Sequence, residues 1–216
     1  MVSMENIIVE EPAEGRLVDP MTWFDSPGPF EIEIGCGKGR FLLSRARANP
    51  QLRMLGIEWA GKYYRYCTDR MARWGLRNVR VMRTDAKTFV MHHLPSCCVS
   101  VLHLYHPDPW PKKRHRKRRL VQPDFAEAVF RALTPGGRWL IQSDHEEYFQ
   151  AIRETLDPIP RLTRIAWEEA DAGPDVDWIG TNFEVKYVQQ GRRIYRAGWL
   201  KAGGRVVTNR NDRRAE

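Results

Sequence analysis

From Phe30 onward, short apolar runs alternate with amphipathic stretches. Runs rich in Ile, Val, Leu and Met read as strands at Phe30–Ile34, Met54–Glu58, Val79–Arg83, Val99–Tyr105 and Arg138–Ser143. The apolar spacing between them predicts helices over Arg40–Ala48, Lys62–Trp74, Lys87–His92 and Asp124–Leu133, with another at Glu146–Leu156. Pro123 stands near the start of the fourth helix, where its missing N–H costs no hydrogen bond, and Pro135-Gly136-Gly137 ends it. Strand–helix alternation predicts an α/β fold: a mostly parallel sheet of about seven strands with helices on both faces. Past Pro160 the pattern changes. Leu162–Glu168 and Arg193–Leu200 read as strands, separated by a polar loop through Asp171–Asp175 and a short helix near Phe183–Gln190.

Residues 1–28 are rich in Pro, Glu and Asp and are expected to form an acidic, loosely packed arm. Residues 29–202 form the domain, and 203–216 a frayed tail. The net charge is +8 and the pI about 9.5. The first 30 residues carry six acids against Arg16 alone, so they sum to −5 and the remainder to +13. A basic body suits an acidic partner, nucleic acid above all. An acidic start does not suit a signal or transit peptide. No apolar run approaches the roughly 20 residues needed to span a membrane. Cys36, Cys67, Cys97 and Cys98 lack CxxC spacing, so neither a zinc site nor a disulfide framework is expected. These features suit a cytoplasmic protein with free thiols.

On a parallel sheet, ligands bind beyond the carboxyl ends of the strands. After the first predicted strand comes Glu33-Ile34-Gly35-Cys36-Gly37-Lys38-Gly39-Arg40. The spacing is G-x-G-x-G. The dinucleotide fingerprint G-x-G-x-x-G would need a glycine where Arg40 stands, which favours a nucleoside lacking phosphates, such as S-adenosylmethionine. Glu58 ends the second predicted strand, where a carboxylate can accept both ribose hydroxyls. Asp85 follows the third and can meet an adenine amino group. Glu33 can receive the cationic amino group of the methionine part. Each acid could instead cap a helix or solvate a strand end. Together around a glycine turn they resemble the class I S-adenosylmethionine-dependent methyltransferases, which implies a Rossmann-like fold.

The fourth predicted strand leads into His106-Pro107-Asp108-Pro109-Trp110-Pro111-Lys112, and seven of the eight residues 112–119 are Lys or Arg. The prolines stiffen the loop that holds Asp108. A basic run is often a solvated loop, but beside a methyl-transfer site it offers landing points for phosphates, fixing register rather than reading sequence. Trp110 could stack on a base or brace the loop. Pro107–Leu120 resembles the signature of the tRNA (guanine-N7)-methyltransferases, as do Thr181-Asn182-Phe183-Glu184, Glu33-Ile34-Gly35, Gly56-Ile57-Glu58 and Ser143-Asp144. The resemblance implies methylation of the variable-loop guanine at tRNA position 46. It implies cofactor contacts from Glu33, Glu58, Asp85 and Asp108, with Gly35, Gly37 and Gly39 in the turn. RNA contacts are implied for Lys112, Asp144 and Thr181, Asn182, Phe183 and Glu184. Thr181-x-x-Glu184 also reads as a helix capping box.

Guanine N7 already presents a lone pair, so attack on a sulfonium methyl needs no general base. Alignment and charge stabilisation would suffice. A carboxylate facing guanine N1–H and the 2-amino group would stabilise the charge arriving on the purine and select guanine. Asp108, Asp144 and Glu184 are the candidates, with Asp108 placed centrally. The expected partner is tRNA, for a monomer or homodimer with no metal. Two other readings share the fold: a methyltransferase acting on an exocyclic amine of nucleic acid, and a non-catalytic RNA-binding protein.

Overall fold

The computed structural model describes residues 2–167 and 189–203. Its strands are β1 (Ile8–Val9), β2 (Phe30–Ile34), β3 (Arg53–Ile57), β4 (Val79–Met82), β5 (Val99–Tyr105), β6 (Leu133–Ser143), β7 (Leu162–Ile165) and β8 (Tyr195–Lys201). Helices α1 (Arg40–Ala48), α2 (Gly61–Arg73), α3 (Ala86–His92), α4 (Pro123–Ala132) and α5 (Glu146–Leu156) join them. One sheet runs in the order β1-β4-β3-β2-β5-β6-β8-β7. Its pairings are parallel except those of β8, which is antiparallel to β6 and β7.

The sheet has eight strands where about seven were expected. The additional strand comes from the leader: Ile8 and Val9 pair with Val81 and Met82 at the sheet edge, and Ile7 beside them is fully buried. Two residues carry no readable period, and only the open edge of β4 gives them a partner. The fifth predicted strand begins at Leu133 rather than Arg138. Leu133 pairs with Val99, the chain bulges through Pro135-Gly136-Gly137, and pairing resumes at Arg138 with Val101. The proline–glycine segment thus closes α4 from inside a strand. The strand predicted over Leu162–Glu168 is shorter, ending at Ile165. The loop at Asp171–Asp175, residues 183–188 of the expected short helix and the tail from 204 lie outside the described residues.

Alternation along the strands sorts the core onto two faces. Ile32, Ile34, Leu102, Leu104 and Ile141 pack with Phe89, Phe125, Val129, Tyr148 and Ile152 from α3, α4 and α5. Met54, Val101, Tyr105 and Leu140 pack with Phe41, Leu42, Cys67 and Met71 from α1 and α2. Central β2, buried along its whole length, reads Phe-Glu-Ile-Glu-Ile. Its isoleucines face α3–α5, so Glu31 and Glu33 face α1.

From β2 the chain builds β3 and β4 on one side, then crosses to β5 on the other. Such a reversal opens a crevice beyond the carboxyl ends of the two central strands. The glycine turn after β2 and the proline loop after β5 border it. Among the described residues no helix is long and apolar enough to cross a membrane.

Candidate active site

Gly35, Gly37 and Gly39 have φ of +74°, +53° and +68°, a region that costs other L-residues roughly 1–2 kcal/mol. Their roles differ. A Cβ on Gly35 would meet nothing within 4 Å, and one on Gly37 only the Gly35 carbonyl at 3.9 Å. These two leave the turn open for a ligand. A Cβ on Gly39 would lie 2.5 Å from Cys67 Sγ and 2.7 Å from Met71 Cε. Gly39 therefore lets the start of α1 pack on α2.

Two buried glutamates sit two residues apart on the same face of β2. Glu31 receives the Arg45 guanidinium in a bidentate pair at 3.0 Å and His103 Nε2 at 3.0 Å. Burial would raise its pKa, but His103 and Arg45 reverse that and hold it at about 2. Glu33 faces no such cation. Its carboxyl accepts the Leu42 backbone N–H, and Oε2 is buried with no hydrogen-bond partner among the described residues. Burial, with Glu58 nearby adding to it, pushes its pKa up to about 8. A buried acceptor without a partner is costly. An ammonium group entering beside the glycine turn would satisfy it, so the residues present fit an amino-acid-bearing nucleoside.

Glu58, also buried, follows β3 and braces the turn. Its Oε2 accepts Gly37 N at 2.9 Å and its Oε1 accepts Ala60 N at 2.7 Å. Each oxygen keeps capacity for a further donor such as a ribose hydroxyl. Asp85 follows β4 as expected, but its side chain caps α3, accepting Thr88 N at 2.8 Å.

Beyond β5 the loop is locked by more than prolines. His106 and Trp110 have positive φ, 53° and 40°, and His106 N donates to Gln142 O at 2.8 Å. Arg119 is buried. It donates to Pro109 O at 2.9 Å, grips Glu147 of α5 with both terminal nitrogens, and lies 4.7 Å from the Tyr148 ring centroid. The basic run thus divides. Arg119 is a structural clamp and Arg116 pairs with the same Glu147 at 3.4 Å, whereas Lys112, Lys113, Arg114, Lys117 and Arg118 are exposed on or beside a 3₁₀ turn. Asp108 is exposed at the crevice. Trp110 is half-buried, edge-on to His115 and 5.1 Å from the Arg118 guanidinium.

Asp144 follows β6 and meets two residues the sequence did not assign to it. Arg192 bonds its Oδ2 at 2.9 Å, and His106 Nδ1 lies 3.7 Å from its Oδ1. Arg192 is 48 residues away in the chain, and no local pattern announces the pair. Tyr195 pairs with Ser143 across β6 and β8, and it lines a cleft of about 390 Å³ together with Phe149, Trp167 and Arg196 among others. Thr181, Asn182, Phe183 and Glu184 lie outside the described residues.

Residues 27–197 match a family model described as "Putative methyltransferase". A tRNA (guanine-N(7)-)-methyltransferase of Myxococcus xanthus is 33% identical over 185 residues, covering 84% of this chain and 89% of that protein. One from Geobacter metallireducens is 31% identical over 183 residues, covering 83% and 87%. The chain belongs to the tRNA (guanine-N7)-methyltransferase family. Among solved structures, a precorrin-6y C5,15-methyltransferase of Geobacter metallireducens aligns with a TM-score of 0.54 at 14% identity, covering 84% of each chain. A Thermotoga maritima S-adenosylmethionine-dependent O-methyltransferase aligns with a TM-score of 0.54 at 17% identity, covering 82% of this chain and 61% of that one. These likenesses bear on fold alone. Within this tRNA (guanine-N7)-methyltransferase family member, the family match takes in both sides of the crevice, the glycine turn and the basic run, and leaves out the acidic leader.

Proposed function

We propose that this chain transfers a methyl group from S-adenosylmethionine to N7 of a guanine in tRNA, the variable-loop guanine at position 46. Family membership supports the substrate and the atom, and the resemblance at Pro107–Leu120 supports the position. The observation that carries the cofactor assignment is Glu33, a buried carboxyl without a cation beside an open glycine turn.

S-adenosylmethionine, when bound, supplies a methyl group on a cationic sulfur. Glu33 holds the amino group, Glu58 the ribose hydroxyls and Asp85 the adenine amino group. Arg119 fixes the loop that presents Asp108. Asp144 is already engaged by Arg192, whereas Asp108 is exposed and has no ion-pair partner among the described residues. Of the two candidates among the described residues Asp108 is thus the freer, and in this reading it meets guanine N1–H and the 2-amino group, stabilising positive charge as it reaches the purine. The exposed cations at 112–118 seat the phosphates. A cytoplasmic location belongs to the same reading.

The test is incubation with labelled S-adenosylmethionine and unmodified tRNA, followed by nucleoside analysis. The expected product is N7-methylguanosine, absent when position 46 is changed to adenine. A label on an exocyclic amine, or no transfer at all, would overturn the assignment.

A further inference from the structure

We propose that an exposed aromatic face, formed by Trp59 and the first turns of α2, holds a second segment of the same tRNA on the far side of the glycine turn from the basic run. The inference rests on the tRNA reading above and extends its footprint.

Trp59, Tyr63 and Tyr66 are 69%, 41% and 45% exposed. Tyr63 and Tyr66 are three residues apart on a helix and so are surface neighbours. The opposite side of α2, with Cys67, Thr68, Met71 and Ala72, is buried against the core. Exposed Lys38, Lys62 and Arg65 interleave with the rings, and Lys38 Nζ lies 5.7 Å from the Tyr66 centroid. Arg70 anchors this corner to the glycine turn by donating to Lys38 O at 3.1 Å. The acids nearby are mostly engaged: Glu58 is buried and accepts Gly37 N and Ala60 N, and Glu11 accepts Thr84 Oγ1 at 2.6 Å. Asp69 is paired with Arg73 at 2.6 Å, and Glu10 lies towards Arg83 and Tyr64.

Rings interleaved with cations are the chemistry of single-stranded nucleic-acid binding, in which bases stack while phosphates meet the charges. A protein partner fits less well: interface cores favour Trp, Tyr and Arg but are depleted in lysine, and Lys38 and Lys62 stand among these rings. The other large exposed apolar residues among those described are Trp74, stacked under Arg47 at the far end of α2, and three in the leader. Position completes the case. Trp59 follows β3, the glycine turn β2 and the proline loop β5, three consecutive strands. Neighbouring strands lie about 4.8 Å apart, so an RNA seated on residues 112–118 and crossing the crevice meets these rings next.

Full-length Tyr63→Ala/Tyr66→Ala and Trp59→Ala variants test this through tRNA affinity, S-adenosylhomocysteine affinity and sedimentation. The expected result is a loss of tRNA affinity of about five- to 150-fold per stacked ring, with cofactor-product affinity kept in the tyrosine variant. Tyr63→Phe/Tyr66→Phe, which keeps the ring faces, should bind tRNA like the wild type. Ultraviolet cross-linking of wild-type protein to tRNA, independent of any variant's folding, should mark peptides spanning 59–66. Unchanged tRNA affinity in the alanine variants overturns the platform, as do cross-links confined to residues 112–118. An equal loss of S-adenosylhomocysteine binding makes the rings a cofactor wall, and a dimer falling to monomer with tRNA affinity intact makes them a protein interface. Either overturns the proposal. A wild-type chain that binds no tRNA overturns the functional reading as well, which separates the two failures.

Discussion

Replacing Glu33 by Gln removes the charge while keeping the shape of a side chain held among α1, β2 and the glycine turn. In the protein alone the carboxyl titrates at about 8, against 4.5 for an exposed glutamate, because burial disfavours its ionised form. At pH 7 the folded chain therefore holds a proton that the unfolded chain has lost. A raised folded pKa contributes stability that is complete below pH 4.5 and is lost as the pH climbs towards 8. One pKa unit is about 1.36 kcal/mol, so by pH 7 this carboxyl has cost the fold about 3 kcal/mol relative to acidic solution. Glu33→Gln has no such term. Its amide adds a donor that needs a partner, but that offset does not depend on pH. Urea unfolding between pH 5.5 and 7.5 should show the variant gaining on the wild type by about 1.4 kcal/mol per pH unit. Affinity for S-adenosylmethionine should fall sharply in the variant, since the amino group loses its carboxylate. Parallel stability curves for the two proteins would refute the raised pKa, and full cofactor affinity would remove Glu33 from the site.

Asp108→Asn should lose most methyl transfer while binding tRNA normally in a filter assay, and full turnover would remove Asp108 from guanine recognition. Arg119→Met should loosen the proline loop, cutting kcat while leaving the salt dependence of tRNA binding unchanged. Its stability cost should be about 1–2 kcal/mol in denaturant titration, modest because Glu147 stays half in water. Lys112→Ala/Lys113→Ala/Arg114→Ala should do the reverse, weakening tRNA binding and lowering the slope of log affinity against log salt by about 0.7–0.9 for each phosphate no longer neutralised. An unchanged slope would return that stretch to the role of a solvated loop.

Much of the scaffold was legible because its elements carry clear periods. Phe30–Ile34, Arg40–Ala48, Val99–Tyr105 and Glu146–Leu156 are found at the bounds that apolar spacing predicts. The short leader strand was not legible, since Ile8 and Val9 pair only because β4 ends the sheet there. The glycine turn was readable as a turn, but not the separation of its glycines into cradle and packing roles, which depends on Cys67 and Met71 from another helix. Arg119 looked like one more cation in a basic run. Its burial follows from the carbonyl of Pro109 and from Glu147, 28 residues on. Glu31 and Glu33 are indistinguishable by local pattern. Their opposite protonation comes from His103 and Arg45, which other elements bring to one glutamate and not to the other.

A carboxyl that titrates near 8 inside an enzyme invites the role of general base. Its position argues otherwise. Glu33 faces α1 beside the glycine turn, while Asp108 and Asp144 follow β5 and β6 on the other side of the crevice. The chemistry argues the same way, because guanine N7 has no proton to give up before attack. The two roles divide differently between binding and turnover. If Glu33 binds the cofactor's ammonium group, its proton must leave on binding, and the KM for S-adenosylmethionine should fall with rising pH, by up to about tenfold per unit well below 8, until the carboxyl is ionised and the cofactor's own amino group begins to lose its charge. At saturating cofactor, kcat should stay flat from about pH 6 to 8, since the carboxylate is already ionised in the complex. A general base gives the opposite division, a kcat that climbs about tenfold per unit over a flat KM. That outcome would place Glu33 at the reacting atoms and would require a substrate with a proton to lose, an exocyclic amine rather than N7.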